Sequence, residues 1–265
     1  MKTKKHKNSV WLLGHYGSDE IIACSAWTST SRDLTDDKRA RIPTMIKTLW
    51  NAGHHTPWEK GMVHFLVNTD VSSHIHLCKH RISSMNAESA RYRELEDKFF
   101  IPDDWGDIVA TDDIEQLELK GKAWTSILKD FTVMSNSLYH TCLKDLEPVL
   151  GRARAKESSR FFKGYNSQIQ ADISFNMRSF HNFLTLRNSG HAQKEIREIA
   201  QGMLKCVQNI EGNPFRYTLE AWGMNKGEIP ETFTIESPPI RGEKIKLKVS
   251  LGDGYQNENT YDEKH

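Results

Sequence analysis

The chain has 265 residues, 37% of them hydrophobic, with 36 Lys and Arg set against 35 Asp and Glu. That length and apolar content suffice for a sizeable core. The near-zero net charge supplies no global basic field, which excludes non-specific nucleic-acid and membrane-surface binders as first readings. Cys24, Cys78, Cys142 and Cys206 stand far apart with no CxxC pair. They read as reduced thiols of a cytoplasmic protein, not as a disulfide framework or a zinc site. The start, MKTKKHKNSVW, carries no apolar run of signal-peptide length. No window approaches the roughly twenty apolar residues that span a membrane.

In chain order, Val10 to Tyr16 is short, apolar and β-rich, a predicted first strand. Ser18 or Asp19 then caps a helix through IIACSAW. Asp36 and Asp37 head a second helix with Ile42, Met45, Ile46 and Leu49 at helical spacing, Pro43 in its first turns and Gly53 at its end. His54 to Glu59 reads as an irregular polar loop and MVHFLVNTD as a strand. Val71 to Arg81 reads as a helix with His76 and His80 at i, i+4 on one face. Residues 103–113 are acidic and loop-like. Ile114 to Leu150 carries a long helical period through Leu117, Trp124, Leu128, Phe131, Leu138 and Leu146. A shorter helix follows over Ala153 to Phe162, then a strand over Ile169 to Phe175. Asn176 to Leu186 and His191 to Ile210 are helices around the turn Arg187-Asn188-Ser189-Gly190. After Trp222 the composition turns to Gly, Pro, Glu and Lys, with Ile245 to Leu251 as a lone edge strand. The expected organisation is one α+β domain over 1–225, helices packed on a mainly antiparallel sheet, with a polar extension over 226–265 that is partly disordered.

Four polar clusters interrupt the core pattern: His54 to Glu59, Lys79 to Tyr92, Arg160, and Asn176 to His191. Taken singly, each has a plain structural reading as a loop or a solvated face. His76 and His80 lack the further ligand a metal needs, so no metal site is expected. Ser89 has no His-Asp partners and no GxSxG elbow. Taken together, Arg81, Arg91, Arg160, Arg178 and Arg187, with Lys79 and His80, are the donors that grip phosphates and a planar carbonyl-bearing base. Asn176 and Asn182 add amide donors and acceptors for a ring edge. GxGxxG and GxxxxGK[ST] are both absent, so a nucleotide cofactor would sit in neither a Rossmann nor a P-loop site.

These clusters resemble the motifs of the flavin-dependent thymidylate synthases. Lys79-His80-Arg81, then ISSMNAE, then Ser89-Ala90-Arg91-Tyr92 is similar to that family's signature. GHHTPWE (53–59), NMRSFHNFLTLRNSGHAQKEI (176–196) and SAWTS (25–29) resemble three further segments, in the family's order, over about residues 10 to 222. The resemblance implies a helix-and-sheet fold in an obligate homotetramer with active sites where subunits meet. It also implies FAD as cofactor, NADPH as reductant, and dUMP and methylenetetrahydrofolate as substrates. His54, Thr56, Glu59, His80, Arg81, Asn176, Arg178, Asn182 and His191 fall on flavin-contacting positions, and Ser29 on a less specific one. Lys79, Ser89, Arg91, Arg160 and Arg187 fall on positions that hold dUMP. His76 and Glu88 belong to the same nucleotide site. Arg187 is implied to stabilise charge on the uracil, and Ser89 to orient the substrate without attacking it.

Three positions depart from the family pattern. Lys79 stands for the usual first Arg, Ala87 displaces the acid to Glu88, and His76 stands where Gln is frequent. They leave two alternatives beside dUMP methylation: another pyrimidine nucleotide or one-carbon outcome, and a non-catalytic nucleotide-binding protein on the same scaffold.

Overall fold

The computed structural model describes residues 4–5, 7–31 and 33–224. The expected extension over 226–265 and its edge strand therefore lie outside the described residues. In chain order, β1 (Lys4–Lys5) precedes β2 (Ser9–Tyr16), α1 (Asp19–Trp27), α2 (Asp36–Asn51), a 3-10 turn (Thr56–Lys60), β3 (Met62–Asp70) and α3 (Val71–Cys78). Next come β4 (Ser84–Ala87), β5 (Lys98–Phe99), α4 (Trp124–Leu150), α5 (Arg152–Ser159) and a second 3-10 turn (Arg160–Phe162). β6 (Gln168–Asn176), α6 (Met177–Arg187), α7 (Lys194–Gln208) and α8 (Arg216–Ala221) complete the chain. A four-stranded sheet runs β2-β3-β6-β4, and β1 pairs in parallel with β5. The α+β class is as expected. No helix among the described residues is long and apolar enough to cross a membrane.

By packing, the described residues fall into two compact units. The larger holds residues 9–67, 77–86 and the described residues from 172 on; the other holds residues up to 8, 68–76 and 87–171.

In the larger unit, alternation decides the sheet face. Val63, Phe65 and Val67 of β3 and Ile173 and Phe175 of β6 are buried at 0–1% exposure, as a strand with one face on a core requires. Met177, Phe180, Phe183 and Leu184 of α6 join them in one cluster, with Phe175 stacked 5.3 Å from Phe183. Ile196, Ile199, Ala200, Met203 and Val207 make the core stripe of α7. Ser18 caps α1, accepting from the Ile21 amide at 3.3 Å. The Asp19 carboxylate, 5% exposed, takes the amides of Tyr217 at 2.6 Å and Thr218 at 3.0 Å and the Thr218 hydroxyl at 2.6 Å. It thereby satisfies orphan donors at the start of α8. Burial pushes its pKa up to about 6 in spite of those hydrogen bonds.

In the other unit, α4 buries Thr132, Ser135, Asn136, Tyr139 and Leu143. The Lys163 ammonium, on the loop before β6, bonds Asp97 at 2.9 Å and Asn136 at 2.7 Å, and lies 4.5 Å from the centre of the Tyr139 ring. Burial pulls the Lys163 pKa down against the lift from Asp97. Burial also pushes the Asp97 carboxyl up, but Lys163 and His140 together hold it below its ordinary value.

Several elements differ from the sequence expectation. α3 stops at Cys78, so His80 lies beyond the helix and shares no face with His76; three consecutive basic side chains give that last turn no apolar position to bury. No group of three metal-ligating side chains occurs among the described residues. α4 begins at Trp124, not at Ile114. Asp113 Oδ1 captures the amides of Leu119 and Lys120 at 2.8 and 2.9 Å, and Gly121 takes φ +80°, which ends any helix there. The apolar period read through Phe131 and Leu138 is not a core stripe, because both are exposed. Pro43 sits mid-helix in α2, whose first residue is Asp36. Thr56–Lys60 is a 3-10 turn instead of an irregular loop. β4 and α8 carry no signal the pattern reading recognised.

Candidate active site

The junction of β6 and α6 organises the site. Asn176 ends the strand in extended backbone and caps the helix, its Oδ1 accepting from the Ser179 amide at 2.8 Å and the Ser179 hydroxyl at 2.9 Å. The first turn of α6 presents Arg178 and Ser179 on the side away from Met177 and Phe180, and Asn182 and Leu186 follow one and two turns on. A helix N-terminus carries partial positive charge and free amide donors, so this turn suits an anion.

Two other segments converge on the same cavity. Glu59 accepts from Arg178 Nη1 at 2.6 Å. It is held in place by its neighbour Trp58, which is fully buried and donates from Nε1 to Thr218 Oγ1 at 3.0 Å. Beyond α3 the chain turns back: the His80 amide donates to the Leu77 carbonyl at 3.0 Å, and Ser83 Oγ donates to the His80 carbonyl at 2.6 Å. The His80 ring stands edge-on to Phe183 at 4.8 Å. Its Nε2 accepts from Arg187 Nε at 2.9 Å. The guanidinium has only donors, so this contact uses the Nε2 lone pair of the imidazole.

The cavity enclosed by these segments measures about 610 Å³. Lys79, Arg81, Arg178 and Arg187 bring four positive charges to its wall against the single carboxylate of Glu59; Phe175, Ile82 and Leu186 supply apolar surface. An elongated anion with a flat apolar part fits that donor set. Among the described residues no cysteine lines it, and burial lifts the Cys206 thiol elsewhere in this unit to about 11.

Of the positions singled out in the sequence, Glu59, Lys79, His80, Arg81, Asn176, Arg178, Asn182 and Arg187 line this cavity. Ser29, His54, Thr56 and His191 belong to the same unit but do not line it; all four are exposed. Ser29 Oγ donates to the Ala26 carbonyl at 3.3 Å just past α1. The remaining positions lie in the other unit. Glu88 takes the Gln170 amide at 3.2 Å and pairs with Arg93. Ser89 Oγ accepts from the Arg91 amide at 3.3 Å, and Arg91 Nε bonds Glu157 at 3.2 Å. Arg160 is exposed at the end of α5. The Nδ1 atom of His76 is buried without a hydrogen-bond partner. Ser179, Ile82, Phe175 and Leu186 line the cavity without having been singled out. For Ser179 the signal was present in the sequence, as an Asn cap three residues ahead of it.

The family model described as thymidylate synthase complementing protein matches residues 11–211. A flavin-dependent thymidylate synthase of Thermosipho melanesiensis is 36% identical over 207 residues, covering 76% of this chain and 86% of that protein. The corresponding enzyme of Pseudothermotoga lettingae is 29% identical over 204 residues, covering 76% and 85%. Among solved structures, a UMP/dUMP methylase from Streptomyces cacaoi, PolB, bound with 5-Br dUMP, shares the fold. It superposes with a TM-score of 0.65 at 22% identity, covering 83% of this chain and 97% of that one.

Proposed function

The chain belongs to the flavin-dependent thymidylate synthase family, and we propose that it makes dTMP from dUMP with methylenetetrahydrofolate as carbon donor, NADPH as reductant and FAD as cofactor. One observation carries this reading. Three motifs far apart in the chain, at Glu59, at Lys79 to Arg81 and at Asn176 to Arg187, meet on one cationic cavity. Such a wall fits the phosphates and flat ring of a flavin nucleotide.

In this reading Arg178, Arg81 and the first turn of α6 hold the cofactor's phosphates, and Asn176 and Asn182 meet its ring edge. FAD, when bound, supplies the two-electron chemistry that turns the transferred one-carbon unit into a methyl group. Arg187 donates to a uracil carbonyl and stabilises negative charge on the base, a role of about 2–4 kcal/mol in comparable oxyanion sites. Lys79 is assigned to dUMP as well; in the other unit Arg91 and Arg160 are assigned to the 5′-phosphate and Ser89 to orienting the nucleotide, with Glu88 and His76 beside it. Positioning thus replaces an enzyme nucleophile, which agrees with a cavity wall that has no thiol.

We assign the exposed Ser29, His54, Thr56 and His191 to flavin contacts completed by a second copy, within a homotetramer. α4 supports self-association. Phe131, Met134 and Leu138, spaced i, i+3, i+7, are 49%, 55% and 43% exposed, while Thr132, Ser135 and Asn136 are turned inward. A helix that exposes its apolar side has a partner surface to cover.

The test is anaerobic. Protein loaded with FAD is bleached by NADPH, then given dUMP and methylenetetrahydrofolate; colour returns and dTMP forms. Bleached protein that neither recovers colour nor forms product on adding both substrates refutes the assignment. A second reading, another pyrimidine nucleotide, is favoured by Lys79, which keeps the charge of the usual Arg but loses its two-pronged geometry. Mass spectrometry of turnover with dUMP against dCMP separates the two.

A further inference from the structure

We infer that His80 is a positioning residue for Arg187: its Nε2 lone pair fixes the guanidinium so that both Nη groups are aimed into the cavity. The inference rests on the proposed function and deepens it, because it gives His80 a role through the arginine that holds the base.

Arg187 closes α6, where the backbone no longer restrains a long side chain, and arginine loses its value as a recognition group if the fork is free to swing. Its Nε–H is engaged by His80 at 2.9 Å. With Nε occupied, the guanidinium plane can turn only about that bond, and the Nη1 and Nη2 hydrogens remain for a ligand. The imidazole is itself immobilised on three sides. Phe183, fully buried, meets its ring edge-on at 4.8 Å. The bond from the His80 amide to Leu77 and the bond from Ser83 to the His80 carbonyl hold its backbone on both flanks. The acceptor is therefore fixed before any ligand arrives.

The charges around this contact explain why a neutral acceptor stands there. Lys79 and Arg81 flank His80 in its own segment, and Arg178 and Arg187 face the cavity from α6. Glu59, the one carboxylate in the cavity wall, is engaged by Arg178. A carboxylate in place of His80 would cancel the charge that Arg187 offers to the substrate. A neutral imidazole orients the guanidinium and leaves its charge intact.

Three substitutions separate this role from the others. In His80→Gln the side-chain oxygen reaches the place of Nε2, so the acceptor survives without the ring. In His80→Phe the ring contact with Phe183 survives without the acceptor. In His80→Asn the acceptor is a bond too short. The readouts are flavin content of the purified protein, dUMP dissociation constant by titration calorimetry, and kcat for dTMP formation. The expected result, read on protein saturated with FAD, is dUMP binding weakened by about 10- to 100-fold in Phe and Asn, the loss that follows from one hydrogen bond to a charged group, and largely recovered in Gln. Arg187→Ala combined with His80→Phe should be no worse than Arg187→Ala alone. Retention in Phe with loss in Gln would overturn the inference in favour of ring packing. Equal weakening of dUMP binding in all three FAD-saturated variants would overturn it in favour of a direct contact by the ring. Wild-type protein that binds no dUMP would refute the proposed function, and this inference with it; wild-type binding without rescue by Gln refutes the inference alone.

Discussion

Asp19 lies outside the cavity yet sets the frame behind it, and its titration gives a sharp test. Its carboxylate is buried, accepts three hydrogen bonds from Tyr217 and Thr218, and has its pKa raised from 3.8 to about 6. Desolvation exceeds what the hydrogen bonds return to the ionised form. Between these two values the folded state binds more protons than the unfolded state, so the slope of unfolding free energy with pH is negative for this group. Its contribution is fully present below the unfolded pKa and is lost as pH rises through the folded one. From linkage it amounts to almost nothing at about pH 7.5, about 1 kcal/mol at about pH 5.5 and about 2 kcal/mol at about pH 4.5. Asp19→Asn keeps the shape and removes the titration, so other groups cancel when the two proteins are compared. Urea unfolding at those pH values should show the wild-type advantage over the variant growing by these amounts as pH falls. A difference that is flat in pH, or that shrinks on acidification, would refute the reasoning. Asp19→Ala, which leaves two backbone amides of α8 unsatisfied, should cost about 3 kcal/mol near neutral pH and more on acidification by the same increments.

Arg178→Ala should leave the urea midpoint nearly unchanged, since its pair with Glu59 is half exposed and worth less than about 1 kcal/mol, while the flavin-to-protein absorbance ratio falls sharply. Lys163→Met should destabilise by about 3–5 kcal/mol, because Asp97 at 7% exposure loses its buried partner; adding Asp97→Asn should restore part of that loss in thermal unfolding. Met134→Asp with Phe131→Asp on the exposed face of α4 should shift the protein to a smaller species in sedimentation, with α-helical circular dichroism retained.

Legibility in the sequence followed the range of the forces involved. β3 and β6 were visible because one buried face imposes alternation along much of each strand, and β2 because it is a short, apolar, β-rich run. The starts of α1 and α6 were visible because capping is chemistry within four residues, at Ser18 and Asn176. The motifs that meet in the cavity were legible as motifs, but their meeting was not, since it depends on where β6 delivers α6. α4 misled for a physical reason: its apolar residues do recur at helical spacing, but Phe131, Met134 and Leu138 lie on the exposed side, and the inward side is held by Thr132, Asn136 and Lys163 hydrogen bonds. Periodicity reports that a face exists and is silent on what covers it. β4 is four residues long and mostly exposed, too short to express a period. α8 owes its start to Asp19, about two hundred positions earlier in the chain.

The sequence neighbours of several cavity residues tie their direction to the core. Five of the cavity residues are joined in sequence to a side chain that is 0–1% exposed: Glu59 to Trp58, Asn176 to Phe175 and Met177, Arg178 to Met177, Ser179 to Phe180, Asn182 to Phe183. The polar group faces the cavity because its neighbour is locked in the core, and on a strand or helix the next position necessarily points elsewhere. Trp58 extends this linkage through Thr218 to Asp19, so the carboxylate of Glu59 is fixed by a buried hydrogen-bond chain that never enters the cavity. Insertion of one residue between anchor and polar group would leave both types of side chain present and turn the polar one away. The motifs therefore encode direction as much as chemistry, and shrinking an anchor such as Trp58 should loosen the cavity wall even though it removes no group that lines it.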